Sequence, residues 1–168
     1  IERSLFFLDS LFRNDVHPLQ ILAAIINQVR RLLLVRGFLE SAHGSSWHAG
    51  MQFSHFKNRV MPSIQAFDRD LFKQQDTWDI MVSKDAHKEN QKAIKKGEKK
   101  RSKTVIDLVI AKNPNNPYPV YQMLLKSELF TTDELIAALE SLSQSDLRLK
   151  STGQNPRIIL EKAILSIC

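Results

Sequence analysis

The strongest constraint on the fold lies near the C-terminus, where both a start signal and an apolar spacing mark a helix. The stretch T-T-D-E begins at Thr131 and ends at Glu134. In such a capping box the threonine hydroxyl and the glutamate carboxylate each accept a hydrogen bond from the other residue's backbone. Downstream, residues in steps of four and three predict a packing seam on one helix face: Leu135, Leu139, Leu142, Asp146 and Leu149.

The last helix is indicated by its boundaries. Gly153 is expected to end the preceding helix, since glycine commonly stands just beyond a helix C-terminus. Asn155 and Pro156 then form a start signal, with asparagine as the cap and proline at the first helical position. The spacing predicts a buried stripe on this helix: Ile159, Ala163, Ile164 and Ile167.

Two further helices are expected near the N-terminus. Apolar residues at helical spacing predict a helix over 1–13, which the stretch R-N-D-V-H-P interrupts. Pro18 suits the first position of the next helix, with Asp15 or His17 near its cap. The broad apolar stripe that follows predicts a helix over 18–42.

An aromatic-rich helical pattern occupies the middle of the chain. Pro62 lies inside this pattern and is expected to kink the helix or to begin its second half. Two interpretations of the stripe stay open, since it can cover the protein's own core or dock a partner. Its members follow steps of three, four or seven: Phe53, Phe56, Val60, Ile64, Phe67, Leu71 and Trp78.

Together with a helix that begins near Pro119, these patterns predict an all-α protein. We expect a helical bundle of five to six helices that forms one domain over 1–168. Residues 44–112 are interpreted as an insertion between the two halves of the bundle.

The positive charge of the chain is concentrated in one segment. The net charge is +6, and Lys84–Lys103 contains eight lysines, one arginine and three acids, which also sum to +6. This segment is nearly devoid of apolar residues and is expected to be a flexible basic linker. Phosphate backbones are one expected target. The expected DNA contacts are Lys95, Lys96, Lys99, Lys100 and Arg101.

No pattern of a catalytic, cofactor or metal site is found. The five glycines never form a phosphate-binding loop, the five histidines form no zinc motif, and Cys168 is the single cysteine. The apolar run Leu32–Val35 is flanked by arginines and is far too short to span a membrane. We therefore expect a cytoplasmic protein with no catalytic residues, no cofactor, no metal and no membrane partner.

Asp146 is the one polar residue on the predicted seam. One interpretation is a polar anchor that sets helix register by pairing with Arg30 or Arg31 of another helix. The other is that the seam drifts around the helix, so that Asp146 lies at its solvent-facing edge. Both interpretations are structural.

Two stretches of the chain resemble the C-terminal domain of the delta subunit of the bacterial DNA polymerase III clamp loader. The first is HPLQILAAIINQVRRLLLVRGFLES, His17 to Ser41, and the second runs from Asn113 to Cys168. The latter follows the family pattern L-x-x-A-D-L-x-L-K-S/T-G, D/N-P-R/E and L-E-x-x-[LI]. Matching positions are Leu142, Ser145, Asp146, Leu147, Leu149, Lys150, Ser151, Gly153, Pro156, Arg157, Leu160 and Glu161.

The resemblance implies a non-catalytic collar domain. Such a domain packs beside equivalent domains of the ATPase motor subunits and the delta-prime subunit, while upstream domains outside this chain grip the sliding clamp. It also implies membership in a DNA-directed DNA polymerase (nucleotidyltransferase) holoenzyme that loads the clamp onto primed DNA. The alternative is a nucleic-acid-binding module acting through Lys84–Lys103. The expected collar packing or interface residues are Leu135, Leu139, Leu142, Asp146, Leu149, Ile159 and Ile164.

Overall fold

The computed structural model describes residues 1–86 and 109–167, and within 79–86 it describes the side chain of Met81 alone. All regular structure in these ranges is helical, which confirms the predicted all-α class. The chain divides into two compact units. Unit 1 comprises Ile1–Gly37 and Leu124–Cys168, and unit 2 comprises Phe38–Met123. The predicted insertion, 44–112, falls within unit 2.

Six helices of ten or more residues are present in the described ranges, in agreement with the expected five to six. Shorter helical pieces join the second to the third: a 3₁₀ turn over Ala42–Ser46, a single turn over Phe53–His55 and a π turn over Phe56–Val60. The six are α1 Glu2–Arg13, α2 Pro18–Glu40, α3 Met61–Ala86, α4 Tyr118–Ser127, α5 Thr132–Ser151 and α6 Pro156–Ile167.

A Schellman motif ends α1 at the predicted interruption. The Val16 N–H donates to the Leu11 carbonyl at 3.1 Å, and the Asp15 N–H donates to the Phe12 carbonyl at 3.1 Å. Asp15 adopts the left-handed conformation, with φ of 55°, that this motif requires. Helix α2 then begins at Pro18, and its cap is His17, whose Nδ1 accepts from the Leu19 N–H at 3.3 Å.

Pro62 lies in the first turn of α3, directly after the π turn. Proline lacks the N–H of a regular helical hydrogen bond, and its ring crowds the preceding turn. The π turn over Phe56–Val60 is wider than an α-helical turn. It accommodates the missing N–H and the proline ring, so the chain stays helical on both sides. Pro62 therefore marks the start of α3, one of the two outcomes expected for it.

Both ends of α5 lie where the sequence signals predict them. The capping box is confirmed, since the Thr131 hydroxyl accepts from the Glu134 N–H at 3.2 Å and Glu134 Oε2 accepts from the Thr131 N–H at 2.7 Å. Gly153 lies just beyond the C-terminus, as expected, since α5 ends at Ser151 and the extended Thr152 is its C-cap. The Thr152 hydroxyl donates to the Arg148 carbonyl at 2.8 Å, so the last turn is capped before Gly153 is reached.

Helix α2 is long and apolar enough to cross a membrane when judged by length and composition alone. Its most apolar 18-residue window has a mean hydropathy of 1.3, and 28% of that window is buried. Core helices of soluble proteins satisfy the same criterion. The helix contains Arg30, Arg31 and Arg36.

A buried carboxylate fixes the chain where the described part of unit 2 resumes. Asp68 on α3 is 5% exposed, and its two oxygens accept from the Ile110 and Ala111 N–H groups, each at 3.0 Å. Burial raises the pKa of Asp68, while these two hydrogen bonds act in the opposite direction. The carboxylate thereby satisfies two backbone donors that lie outside any helix.

Candidate interaction surfaces

Three of the seven residues expected at the collar seam are buried inside unit 1. Leu135, Leu142 and Ile159 are 1%, 1% and 4% exposed, so they form core contacts of this chain. The remaining apolar members, Leu139, Leu149 and Ile164, are half-buried. The set therefore divides into core residues and residues at the margin of the core.

Asp146 is also half-buried, and its Oδ2 lies 2.6 Å from Lys150 Nζ on the next turn of α5. This geometry corresponds to the second interpretation, in which Asp146 lies at the solvent-facing edge of the seam.

Two small residues at the centre of the buried face of α5 were not in the predicted seam. Ala138 and Ser145 are 5% and 7% exposed, whereas Leu139 and Asp146, the next residue in each case, lie at the margin. The steps from Leu135 to Ala138 and from Leu142 to Ser145 are also of helical spacing. A seam predicted from the spacing of strongly apolar residues selects leucines. A buried alanine or serine carries a much weaker hydrophobic signal.

An open apolar groove lies in unit 1 between α1, the start of α2 and the end of α6. Its volume is about 460 Å³, within the range of ligand and peptide pockets. Ser4 and Gln20 are its polar members. The apolar members are Phe7, Leu8, Leu11, Val16, Ile21, Ala24, Ile25, Ile164 and Ile167. Among the predicted interface residues, Ile164 is the one that lines this groove.

Two aromatic side chains at the groove are exposed, one that lines it, Phe7, and its neighbour in sequence, Phe6. Phe6 and Phe7 are 70% and 55% exposed, and their ring centroids lie 6.1 Å apart in a T-shaped pair. Their signal in the sequence is the unbroken run L-F-F-L over residues 5–8, which is too apolar on every side for a helix with one buried face.

An aromatic cluster in unit 2 is formed around Phe56, which is fully buried. The rings of Trp47 and Tyr121 lie 6.0 Å and 5.2 Å from the Phe56 ring. Phe53 and Tyr118 extend this cluster to the surface. Burial of Phe56, Val60 and Ile64 supports the core interpretation of the aromatic stripe, while Trp78 at its far end is 67% exposed.

Three titratable side chains form a small cluster around Asp70 in unit 2. His43 Nε2 lies 3.3 Å from Asp70 Oδ2, and Lys73 Nζ lies 3.1 Å from Asp70 Oδ1. The hydrogen bond from Lys73 is the main cause that lowers the pKa of Asp70. Within the described ranges, no three His, Cys, Asp or Glu residues are close enough together to hold a metal ion.

The expected DNA contacts fall outside the described residues. Helix α3 continues to Ala86, so the first residues of the basic segment are helical. Lys95, Lys96, Lys99, Lys100 and Arg101 lie within 87–108, beyond the described ranges. Their role stays a prediction from the sequence.

Comparison with known proteins does not extend this description. No protein-family model matches the chain. No curated protein matches it, and no solved structure matches its fold.

Proposed function

We propose that this chain is a non-catalytic assembly module, the collar-type domain of a clamp-loader delta subunit in a bacterial DNA polymerase III holoenzyme. In this role it associates with ATPase motor subunits and the delta-prime subunit in the cytoplasm, and the assembly loads the sliding clamp onto primed DNA. The proposal is supported by the order and spacing of the helix start and end signals in α2, α5 and α6. These signals carry the resemblance to that family.

The observation that carries an assembly role is the open apolar groove of unit 1, which Phe7 lines and next to which Phe6 is exposed. A large exposed aromatic side chain is unfavourable in water, and burying one against a partner is worth about 1.5 to 3 kcal/mol. Contiguous apolar surface of this kind is typical of protein interaction sites. Buried aromatic anchors also supply a large share of the binding energy in protein interfaces.

The test is light scattering after size exclusion of the chain mixed with the motor and delta-prime subunits of the same source. We expect a stable mixed complex with the wild-type chain. Phe7→Lys is expected to weaken that complex at least about tenfold, because it places a charge in the groove. Leu147→Lys is the matched control, since Leu147 is 66% exposed on α5 and does not line the groove.

A chain that remains monomeric with every one of these subunits at micromolar concentration would refute the clamp-loader assignment. If Phe7→Lys and Leu147→Lys weakened the mixed complex equally, the groove would not be part of the interface.

A second candidate function is nucleic-acid binding through the basic segment. The confinement of the whole net charge to Lys84–Lys103 favours it, because clustered lysines release counterions when they meet phosphates. This function is compatible with the first, since a clamp loader works on primed DNA.

A further inference from the structure

Two aromatic rings at the surface of unit 2 lie edge to face. Phe53 and Tyr118 are 36% and 55% exposed, and their ring centroids are 5.6 Å apart with an interplanar angle of 75°. We call this pair the aromatic platform. Both of its rings are partly accessible to solvent.

The aromatic platform is backed by rigid structure. The Phe53 ring stacks at 6.1 Å on Phe56, which is fully buried, and lies 5.5 Å from the ring of Tyr121. The Tyr121 hydroxyl donates to the Met51 carbonyl at 2.7 Å, which fixes that ring. Rings held in this way lose little conformational entropy when a ligand stacks on them.

The segments that form the aromatic platform carry no acidic residue. Neither 41–67 nor 109–123 contains aspartate or glutamate, while together they contain Lys57, Arg59 and Lys112. Lys57 is exposed and lies four residues after Phe53, which is the helical spacing that places two residues on the same face. These two segments therefore carry positive charge and no negative charge, which favours an anionic ligand.

We propose that the aromatic platform binds single-stranded nucleic acid, with bases stacked on Phe53 and Tyr118 and phosphates facing Lys57. Aromatic rings beside cations are the arrangement by which proteins bind single strands without reading sequence. The basic segment Lys84–Lys103 has cations but no aromatic residue, so it supplies attraction without stacking. The inference does not depend on the clamp-loader assignment, since it concerns the chain alone.

The test uses the complete 168-residue chain and a fluorescein-labelled oligothymidylate of about 20 nucleotides, followed by fluorescence anisotropy. Inorganic polyphosphate serves as a polyanion without bases. We expect Phe53→Ala and Tyr118→Ala each to weaken oligothymidylate binding by about five- to a hundredfold and to leave polyphosphate binding unchanged. Tyr118→Phe is expected to retain the wild-type affinity, because it keeps the ring.

Two further variants separate stacking from charge. Trp78→Ala removes an exposed aromatic ring outside the aromatic platform and is expected to leave both affinities unchanged. Replacing Lys95, Lys96, Lys99, Lys100 and Arg101 by glutamine is expected to weaken both probes together. Photocrosslinking of the wild-type chain to an oligonucleotide containing 5-iodouracil should yield adducts on peptides that contain Phe53 or Tyr118.

The proposal would be overturned by oligothymidylate affinity that survives Tyr118→Ala at the wild-type level. It would also be overturned if that variant reduced binding of polyphosphate to the same extent, since the effect would then be one of charge. Because Tyr118 is largely exposed, its alanine variant is expected to fold, which circular dichroism can verify.

Discussion

At the scale of single residues, a close steric constraint lies at Gly44, in the 3₁₀ turn after α2. A Cβ placed there would lie 2.5 Å from the Phe38 carbonyl oxygen and 2.6 Å from that of Leu39. The Gly44 N–H also donates to the Ser41 carbonyl at 3.0 Å. The turn folds so closely over the end of α2 that only a residue without a side chain fits.

We predict opposite effects of the same substitution at two glycines. Gly44→Ala should lower the free energy of unfolding by at least about 2 kcal/mol, because backbone atoms must move to admit the methyl group. Gly37→Ala should raise it by about 0.5 to 1 kcal/mol, since Gly37 is inside α2 with nothing within 4 Å of the added atom. Urea denaturation of both variants measures the difference, and a neutral Gly44→Ala would contradict this packing.

At the scale of the helices, the ends of α5 are determined by side chains close to them in sequence. The Thr131 backbone and hydroxyl both donate to the Glu134 carboxylate, at 2.7 Å and 3.0 Å. The hydrogen bond from the backbone is the main cause that lowers the pKa of Glu134 below its usual value of 4.5. At the other end, the Ser151 and Thr152 hydroxyls donate to carbonyls of the last turn.

The capping box should make the stability of the protein depend on pH in a defined direction. Because the folded state lowers the pKa of Glu134, its contribution is present above pH 4.5 and is lost as the pH falls through the folded-state pKa. Glu134→Ala should therefore destabilise the protein at neutral pH, and the difference from wild type should shrink in acid. Unfolding measured across this pH range tests it, and a constant difference would contradict it.

A second substitution isolates the hydroxyl of the same cap. Thr131→Ala leaves the Thr131 N–H in place and removes the acceptor for the Glu134 N–H, which should cost about 1 kcal/mol.

At the scale of the whole molecule, the first and last helices of the chain meet in unit 1. Arg157 Nη2 on α6 lies 2.6 Å from Asp9 Oδ1 on α1, and Arg157 Nε lies 2.8 Å from Glu161 Oε1. The hydrogen bond with Glu161 is the main cause that raises the pKa of Arg157, with the Asp9 charge next. This ion pair joins residues at opposite ends of the sequence.

We predict that Asp9 and Arg157 are energetically coupled and that salt weakens the coupling. In a double-mutant cycle of Asp9→Ala and Arg157→Ala, the interaction should be favourable at about 0.1 M salt and smaller at about 1 M. The reason is that both side chains are partly exposed, so mobile ions screen the pair. Lys162→Ala, at an exposed cation of the same helix, should show no coupling to Asp9.

The starts of three helices are marked by local signals in the sequence. Pro18 begins α2, Thr131 and Glu134 cap α5, and Asn155 Oδ1 accepts from the Arg157 N–H at 2.9 Å at the start of α6. Each of these signals acts between residues at most three apart. These interactions form between near neighbours whatever the rest of the chain does, which is why the all-α class was predicted correctly.

Local signals do not determine which residues are buried, which are exposed and which form long-range hydrogen bonds. The three-dimensional packing determines these. Asp68 bonds to backbone groups 42 and 43 residues away, and Ala138 and Ser145 are buried because of what packs against them. The open groove beside Phe7 and the aromatic platform likewise join residues from distant parts of the chain. Helix signals depend on neighbours in sequence, whereas burial, exposure and long-range hydrogen bonds depend on neighbours in space, and only the folded chain defines those.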